Sequence, residues 1–384
     1  MRPLTNPVRT YAWGSRTAIA AMQGRPVPSP RPEAELWMGA HATAPSWVSE
    51  PDGPSALDEA IARDPERALG RAVVDRFGGH LPYLLKVLAA ARPVSLQAHP
   101  DEARARDGFA AESALALDDP RRNYRDPHHK PEMLVAVEPF EALCGFRDPD
   151  ASARDLDAYG VPALAPVITT LRSGPVRDRL RGGMELLLRL PVEVVAAVAA
   201  AGPDTLAGRL AAAYPGDAGA LVALLLNHVR LRPDEAVFMP AGNLHTYLDG
   251  VGVEVMAASD NVLRGGLTEK HVDVAELLRV LRYEVLTDPV VRPDEVAPGV
   301  LTWPVPVAEF ALVKASPRAD AGPVTLPGAG PRIVVCLAGR AELRVAGGPA
   351  GPALAGGEAV FVPATEPAVE VSGTATVFQA APGL

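Results

Sequence analysis

The sequence predicts a mainly β protein with an inserted α-helical domain, and three observations carry that prediction. Short apolar runs of strand length, separated by turn residues, fill residues 1–147 and return at residue 230. Between them, over 148–229, the apolar spacing becomes helical. After Pro289 the chain is strands and Gly/Pro turns to its end, the pattern of a sandwich or barrel. The expected units are therefore 1–147 with 230–288 as one discontinuous domain, 148–229 as a helical domain, and 289–384 as a C-terminal β domain.

Taken in order, residues 81–88 and 133–137 read as buried strands, because each is a short apolar run, interrupted only by Lys86 in the first. Residues 101–117, rich in Ala and charge, read as a helix between them. Helical patterning follows over 175–190 and 192–201, with Pro191 at a helix start, where a missing N–H costs nothing. Residues 205–214 and 218–229 continue it, which places His228 on a helix face. Residues 235–240 and 251–256 are short apolar strands, and 273–282 reads as a helix. Further strands are expected at 310–314, 332–337, 341–345, 358–362 and 374–379. There is no fixed-period repeat, although the two strand-rich regions suit two copies of one barrel type.

Composition narrows the function. The formal net charge is −9, which argues against general nucleic-acid binding, since that needs a basic surface. An anionic ligand would have to be held by a local basic cluster. Among the 37 basic residues only Lys86, Lys130, Lys270 and Lys314 are Lys. Arg and Lys are not interchangeable, so a surviving Lys marks a place where a compact ammonium is wanted. Cys144 and Cys336 are too few for a disulfide framework, which fits a reducing compartment. The first residues lack the apolar core of a signal peptide, and the apolar runs near 194–201 and 220–226 are too short to span a bilayer. The expectation is a cytoplasmic protein with no membrane partner.

Four clusters carry the chemistry. In Ser95-Leu96-Gln97-Ala98-His99-Pro100, a strand would project Ser95, Gln97 and His99 from one face. In His128-His129-Lys130-Pro131-Glu132-Met133, an extended chain puts Lys130 and Glu132 on one side. In Pro240-Ala241-Gly242-Asn243-Leu244-His245, a turn presents His245 on the next strand. Gln, two His and one Glu suit zinc, with an open position for a substrate oxygen. Such a site keeps a charge of about +1, which favours a developing oxyanion. The fourth cluster, Ser259 to His271, is a loop with Arg264 and Lys270 available for an anion. Its two glycines beside Arg264 either serve a close approach to a ligand or belong to a solvated surface loop.

These segments resemble the type I mannose-6-phosphate isomerases, zinc enzymes of the cupin class. The resemblance includes Asn6-Pro7-Val8, Tyr11-Ala12-Trp13-Gly14, Glu35-Leu36-Trp37-Met38-Gly39, residues 81–100, His129-Lys130-Pro131-Glu132-Met133, residues 140–147 and residues 240–273. It implies two cupin-type (jelly-roll) β-barrels, the C-terminal one without a metal site. It implies one zinc ion per chain, held by Gln97, His99, Glu132 and His245, and an active-site arginine at Arg264. Lys130, His129, Asp260 and Glu254 fall on catalytic positions, and Ser95, Lys86 and Lys270 on substrate-binding ones. The implied reaction interconverts mannose 6-phosphate and fructose 6-phosphate through an enediol, in a monomer. Lys130 is the first choice of base, with Glu254 or a zinc-bound water as alternatives. Two positions depart from the family pattern. His128 stands where Asn is common, and Glu269, where Pro is common, puts a negative charge beside Lys270. Other readings of the residues are a cupin-type metal oxygenase and a non-catalytic sugar-phosphate-binding module. Gln97 as ligand, with Lys86, Arg264 and Lys270 nearby, favours the phosphosugar.

Overall fold

In the computed structural model, which describes residues 1–50 and 53–384, the strand-rich regions form two antiparallel sheets of eleven strands each among the described residues. The longest strand of the first sheet, His245–Ala257, organises it. Its second half pairs with Tyr83–Ala90 on one side and Glu132–Ala136 on the other. Its first half pairs with Phe140–Phe146, and His245 faces Gln97 on Leu96–Ala98. The register shifts between Tyr247 and Asp249, where the strand changes partners. Such an irregularity bends a strand and lets it serve two pairings. Expected segment 251–256 is thus one part of a 13-residue strand that begins at His245.

Tyr83–Ala90 and Glu132–Ala136 are buried at every residue, which explains why they are almost wholly apolar. Lys86 and Glu132 are the charged interruptions, and a buried charge is the informative exception.

In the second sheet, Arg332–Val345 and Val369–Ala381 form a long central pair. Expected strands 332–337 and 341–345 are one strand, with a register shift between Cys336 and Ala338 and Gly339 at φ 76° just beyond. The N-terminal strand Arg2–Thr5 also belongs to this sheet. It pairs with Ala359–Val362 and with Trp47–Glu50, which pairs with Gly53–Ala56. Strands from the first 56 residues therefore hydrogen-bond into the sheet of the C-terminal region. One core joins the sheets: Leu36, Tyr83, Leu85 and Val253 pack with Trp303, Phe310, Ile333, Phe361 and Phe378.

Between Phe140–Phe146 and Leu226–Leu231, two strands of the first sheet, lie the expected helices, including Val176–Leu187, Val192–Ala201 and Leu206–Ala213. Thr205 caps the last of these by accepting from Gly208 N–H. Two expectations need correction. The helix over 101–117 stops at Ala111, and the Glu112 carboxylate just beyond it accepts from the N–H groups of Asn123 and Tyr124. The helix over 218–229 is only Gly219–Val222 and a 3₁₀ turn. Residues Leu226–Leu231 form a strand on the edge of Phe140–Phe146, where Leu226, Val229 and Leu231 are buried. His228 thus sits on that strand, with Nε2 2.5 Å from Glu141 Oε1. Among the described residues no helix is long and apolar enough to cross a membrane.

Candidate active site

His99 follows the short strand Leu96–Ala98, whereas Glu132 and His245 each begin a strand. All three are buried, and their ligand atoms lie within 4.8 Å of one another. His99 Nδ1 lies 2.7 Å from the carbonyl of Asn261, and His245 Nδ1 lies 3.1 Å from that of Asn243. A carbonyl only accepts, so each Nδ1 carries the hydrogen and donates. In the neutral ring each Nε2 is then a lone pair, and neither has a hydrogen-bond partner. Yet Glu132 Oε1 lies 3.3 Å from the first and 2.7 Å from the second. Lone pairs so placed repel unless a proton or a cation lies among them. A proton is disfavoured at His99, because burial and Lys130 push its imidazole down to about 4. Burial would raise the Glu132 carboxyl, but Lys130, His99 and His245 outweigh it and hold it well below its ordinary range. An ionised carboxylate and two imidazole lone pairs oriented by carbonyls fit a divalent cation such as zinc.

Gln97 is the direct cross-strand partner of both His245 and Arg264. Directly opposed residues project from the same face, which places the Gln97 amide and the Arg264 guanidinium beside the His/Glu group. The turn that presents His245 is docked by Gly242, at φ 76°, whose N–H donates to His99 O.

Gln97, Glu132 and Arg264 open onto a cavity of about 330 Å³, which Ser95, Lys86, Lys130, Glu254, Asp260 and Lys270 also line. Part of its lining is paired. Lys86 Nζ donates to Glu254 Oε2 at 2.7 Å and stands 3.6 Å from Glu35, and Tyr247 donates to Glu254 Oε1 at 2.8 Å. The register sets this row, because Glu254 lies opposite Lys86 and Lys86 opposite Trp37. Burial alone would lower the Lys86 ammonium, but Glu254 and Glu35 outweigh it and raise it. Lys130 donates to Glu132 Oε2 at 3.0 Å. Asp260 Oδ1 lies 3.4 Å from His41 Nε2. Burial would raise the Asp260 carboxyl, yet His41, Lys130 and Arg125 hold it below its ordinary value.

The other part is cationic. Among the described residues no carboxylate pairs with Arg125, Arg264 or Lys270. Burial lowers Arg264, and Arg125 lowers it further. Burial, Arg264 and Arg125 lower Lys270, against a smaller pull from Glu35. Three cations that repel one another in a protein of net charge −9 form a site for an anion.

His129 does not line this cavity. Its Nε2 is 2.8 Å from Glu309 Oε1, and it borders a separate space of about 280 Å³ with Asp101 and Arg282. Lys86, expected to bind an anion, has its charge matched by two carboxylates. The glycines beside Arg264 serve packing, since a Cβ on Gly265 would meet Leu277 and one on Gly266 would meet Asp217 and Gly219. Cys144 is buried, and burial pushes its thiol up to about 12, so it is inert. Sequence reasoning missed Arg125, which nothing local separates from the many other arginines. Tyr247 was missed as well, although it lies two residues after His245.

Fold and site together define a metal-assisted enzyme for a small anionic substrate. Residues 1–149 match the family model of the phosphomannose isomerase type I catalytic domain. The chain is 38% identical to the mannose-6-phosphate isomerase of Escherichia coli (strain K12), over 97% of each chain. It is 30% identical to mannose-6-phosphate isomerase 1 of Arabidopsis thaliana, over 95% of this chain and 89% of that one. The mannose 6-phosphate isomerase of Salmonella typhimurium, solved with fructose 6-phosphate and zinc, superposes with a TM-score of 0.90 at 35% identity, covering 100% of both chains. The chain belongs to the type I phosphomannose isomerase family.

Proposed function

We propose that this chain is a zinc-dependent isomerase that interconverts mannose 6-phosphate and fructose 6-phosphate by moving a proton between C2 and C1. The observation that carries the reading is one cavity onto which Glu132, of the buried His99–Glu132–His245 group, opens together with three cations that have no carboxylate partner among the described residues.

Arg125 and Lys270, with the Ser95 hydroxyl, hold the phosphate. Charge-assisted hydrogen bonds of this kind contribute about 1.5–3 kcal/mol each, enough to fix the sugar carbons. Asp260, held ionised beside His41, accepts the proton of the anomeric hydroxyl as the C1–O5 bond breaks and passes it to the ring oxygen, which leaves as a hydroxyl. Lys130 is the base of this reading: once its ammonium, which donates to Glu132 at rest, has given up a proton, Nζ takes the C2 proton and returns it to C1, while the O2 hydroxyl proton passes to O1. Glu254 suits this step less well, because Lys86 and Tyr247 occupy its two oxygens. Arg264 donates to the enediolate oxygens and stays protonated throughout, since a guanidinium does not give up its proton. Zinc, held by Gln97, His99, Glu132 and His245, would supply Lewis acidity at the sugar oxygens where negative charge develops. His129 supports the Lys130 segment through Glu309 and takes no proton from the sugar.

We further propose that the sheets are two cupin-type barrels. In this division, 1–147 with 230–288 is catalytic, 148–229 is helical, and 289–384 is a barrel without metal that borrows strands from the first 56 residues. We propose that the chain acts as a monomer. Two buried free thiols suit a reducing cytoplasm.

The test is a coupled assay for fructose 6-phosphate formed from mannose 6-phosphate, run before and after chelation. Activity should vanish with chelator and return with zinc. Zinc-loaded protein that binds the sugar without turning it over would sink the isomerase reading.

A further inference from the structure

Asn261 lies between His245–Ala257 and Leu263–Gly266 and is fully buried. Its side-chain amide is spent on one neighbouring segment. Oδ1 accepts from the N–H groups of Arg125, at 2.7 Å, and Asp126, at 3.3 Å. Nδ2 donates to the carbonyls of Asp126 and His128, both at 2.8 Å, and lies 3.2 Å from Asp126 Oδ1. Only this orientation of the amide matches donors to acceptors. The backbone carbonyl of the same residue accepts from His99 Nδ1 at 2.7 Å. Neighbours brace the joint, with Ser259 Oγ 2.8 Å from Asp126 Oδ1 and Asp260 N–H donating to Asp126 Oδ2 at 2.8 Å.

We infer that Asn261 is a positioning residue that sets Arg125 for the substrate phosphate and, through its own peptide, sets the ring of His99. The inference rests on the reading of Arg125 as a phosphate group given above. Arg125 stands beside Arg264 and Lys270, and like charges push one another apart. Its guanidinium is tethered by NH1 to Leu117 O at 3.1 Å, whereas its backbone N–H is fixed by Asn261. A buried amide whose partners are backbone groups is costly to remove, because those groups are left without partners. Freed of it, the 125–128 segment relaxes away from the repulsion. Metal-bound histidines depend in the same way on the acceptor behind Nδ1.

The test compares the parent, Asn261→Ala, Arg125→Ala and the double variant, all zinc-loaded and full length. Asn261→Ala and Arg125→Ala should each raise KM for mannose 6-phosphate at least about tenfold, with a smaller change in kcat. The double variant should stay within about twofold of Arg125→Ala alone, because both changes remove one interaction. A merely structural residue would lower the melting temperature in both backgrounds and multiply the KM effects. By chelator competition, Asn261→Ala should hold zinc about tenfold more weakly, and Arg125→Ala as tightly as the parent. Asn261→Leu, close in size and with neither the acceptor nor the donors, carries the same expectations if the Ala variant does not fold. The inference falls if KM stays within twofold of the parent or the two effects multiply, and its His99 half falls if zinc affinity is unchanged. An Arg125→Ala variant with unchanged KM retires the phosphate reading of Arg125 instead.

Discussion

Lys86, Lys130 and Lys270 meet three different electrostatic settings within one cavity. Lys86 lies between Glu254 and Glu35 with Trp37 against its ammonium, and serves to hold Glu254. Lys270 rests over the Tyr11 ring and faces other cations. Lys130 has one carboxylate, Glu132, which also serves the cation site. A planar guanidinium in its place keeps the positive charge but cannot act as a free amine. Lys130→Arg should therefore retain zinc, measured as metal per chain, while kcat falls by about 100-fold or more. Normal turnover in that variant would remove Lys130 as the base. Much of this site is legible residue by residue. Ser95 and Gln97 share a face because strands alternate, and Lys130 reaches Glu132 for the same reason. Lys314, the lysine outside the motifs, pairs with Asp234 away from the cavity, so a rare residue type is a pointer and no more. Arg125 is illegible because its role comes from a fold-wide meeting of loops, and the true setting of Lys86 appears only once Glu35 and Glu254 flank it.

Elements repeat the lesson at greater length. Where apolar runs are short and bounded by turns, as at 83–90 and 132–136, strand and burial follow from the pattern. Residues 226–229, Leu-Asn-His-Val, carry no such run; the open edge of Phe140–Phe146 decides their state, and a partner distant in sequence leaves no local trace. The same holds for the loop carrying Glu309, which reaches across to the segment before Lys130 and pairs with His129. Its hydrogen bond raises the imidazole above its ordinary value against the cost of burial, and Glu102 and Asp101 add to the effect. Burial would raise the Glu309 carboxyl, yet His129 outweighs it and holds it low. A raised histidine contributes stability that is complete below its unfolded value of about 6.5 and is lost as pH rises through the folded value. A depressed carboxyl contributes above its unfolded value of about 4.3 and loses that contribution as pH falls through the folded value. The pair is therefore strongest between those limits. Glu309→Gln should lower the melting temperature at about pH 6, by up to about 1 kcal/mol of stability, and hardly at all near pH 9. Equal losses at both pH values would show that Glu309 contributes packing alone.

At the scale of the molecule, the C-terminal region completes the core of the catalytic one. Trp303, Phe310, Ile333, Phe361 and Phe378 pack directly on Leu36, Tyr83, Leu85 and Val253, which belong to strands that line the cavity or neighbour them. Arg2–Thr5 finds its ladder on Ala359–Val362, so the first strand of the chain is bound by nearly the last. Local patterning separates strand-rich from helical regions but is blind to this exchange, because sheet membership is settled by pairing partners far apart in sequence. Each large apolar side chain buried in that shared core contributes about 1.5–3 kcal/mol. Five of them together rival the roughly 5–15 kcal/mol that holds a typical protein folded. A chain ending at residue 288 loses all five and strands Arg2–Thr5 without its partner. Such a chain should lack the near-ultraviolet circular dichroism of packed aromatics and show no isomerase activity with zinc present. The full chain should unfold with the two sheets in one calorimetric transition, its calorimetric and van't Hoff enthalpies agreeing for that transition. If residues 1–288 fold and convert mannose 6-phosphate alone, or the sheets melt separately, the C-terminal region is an appendage and the shared core is not what holds the catalytic sheet in shape.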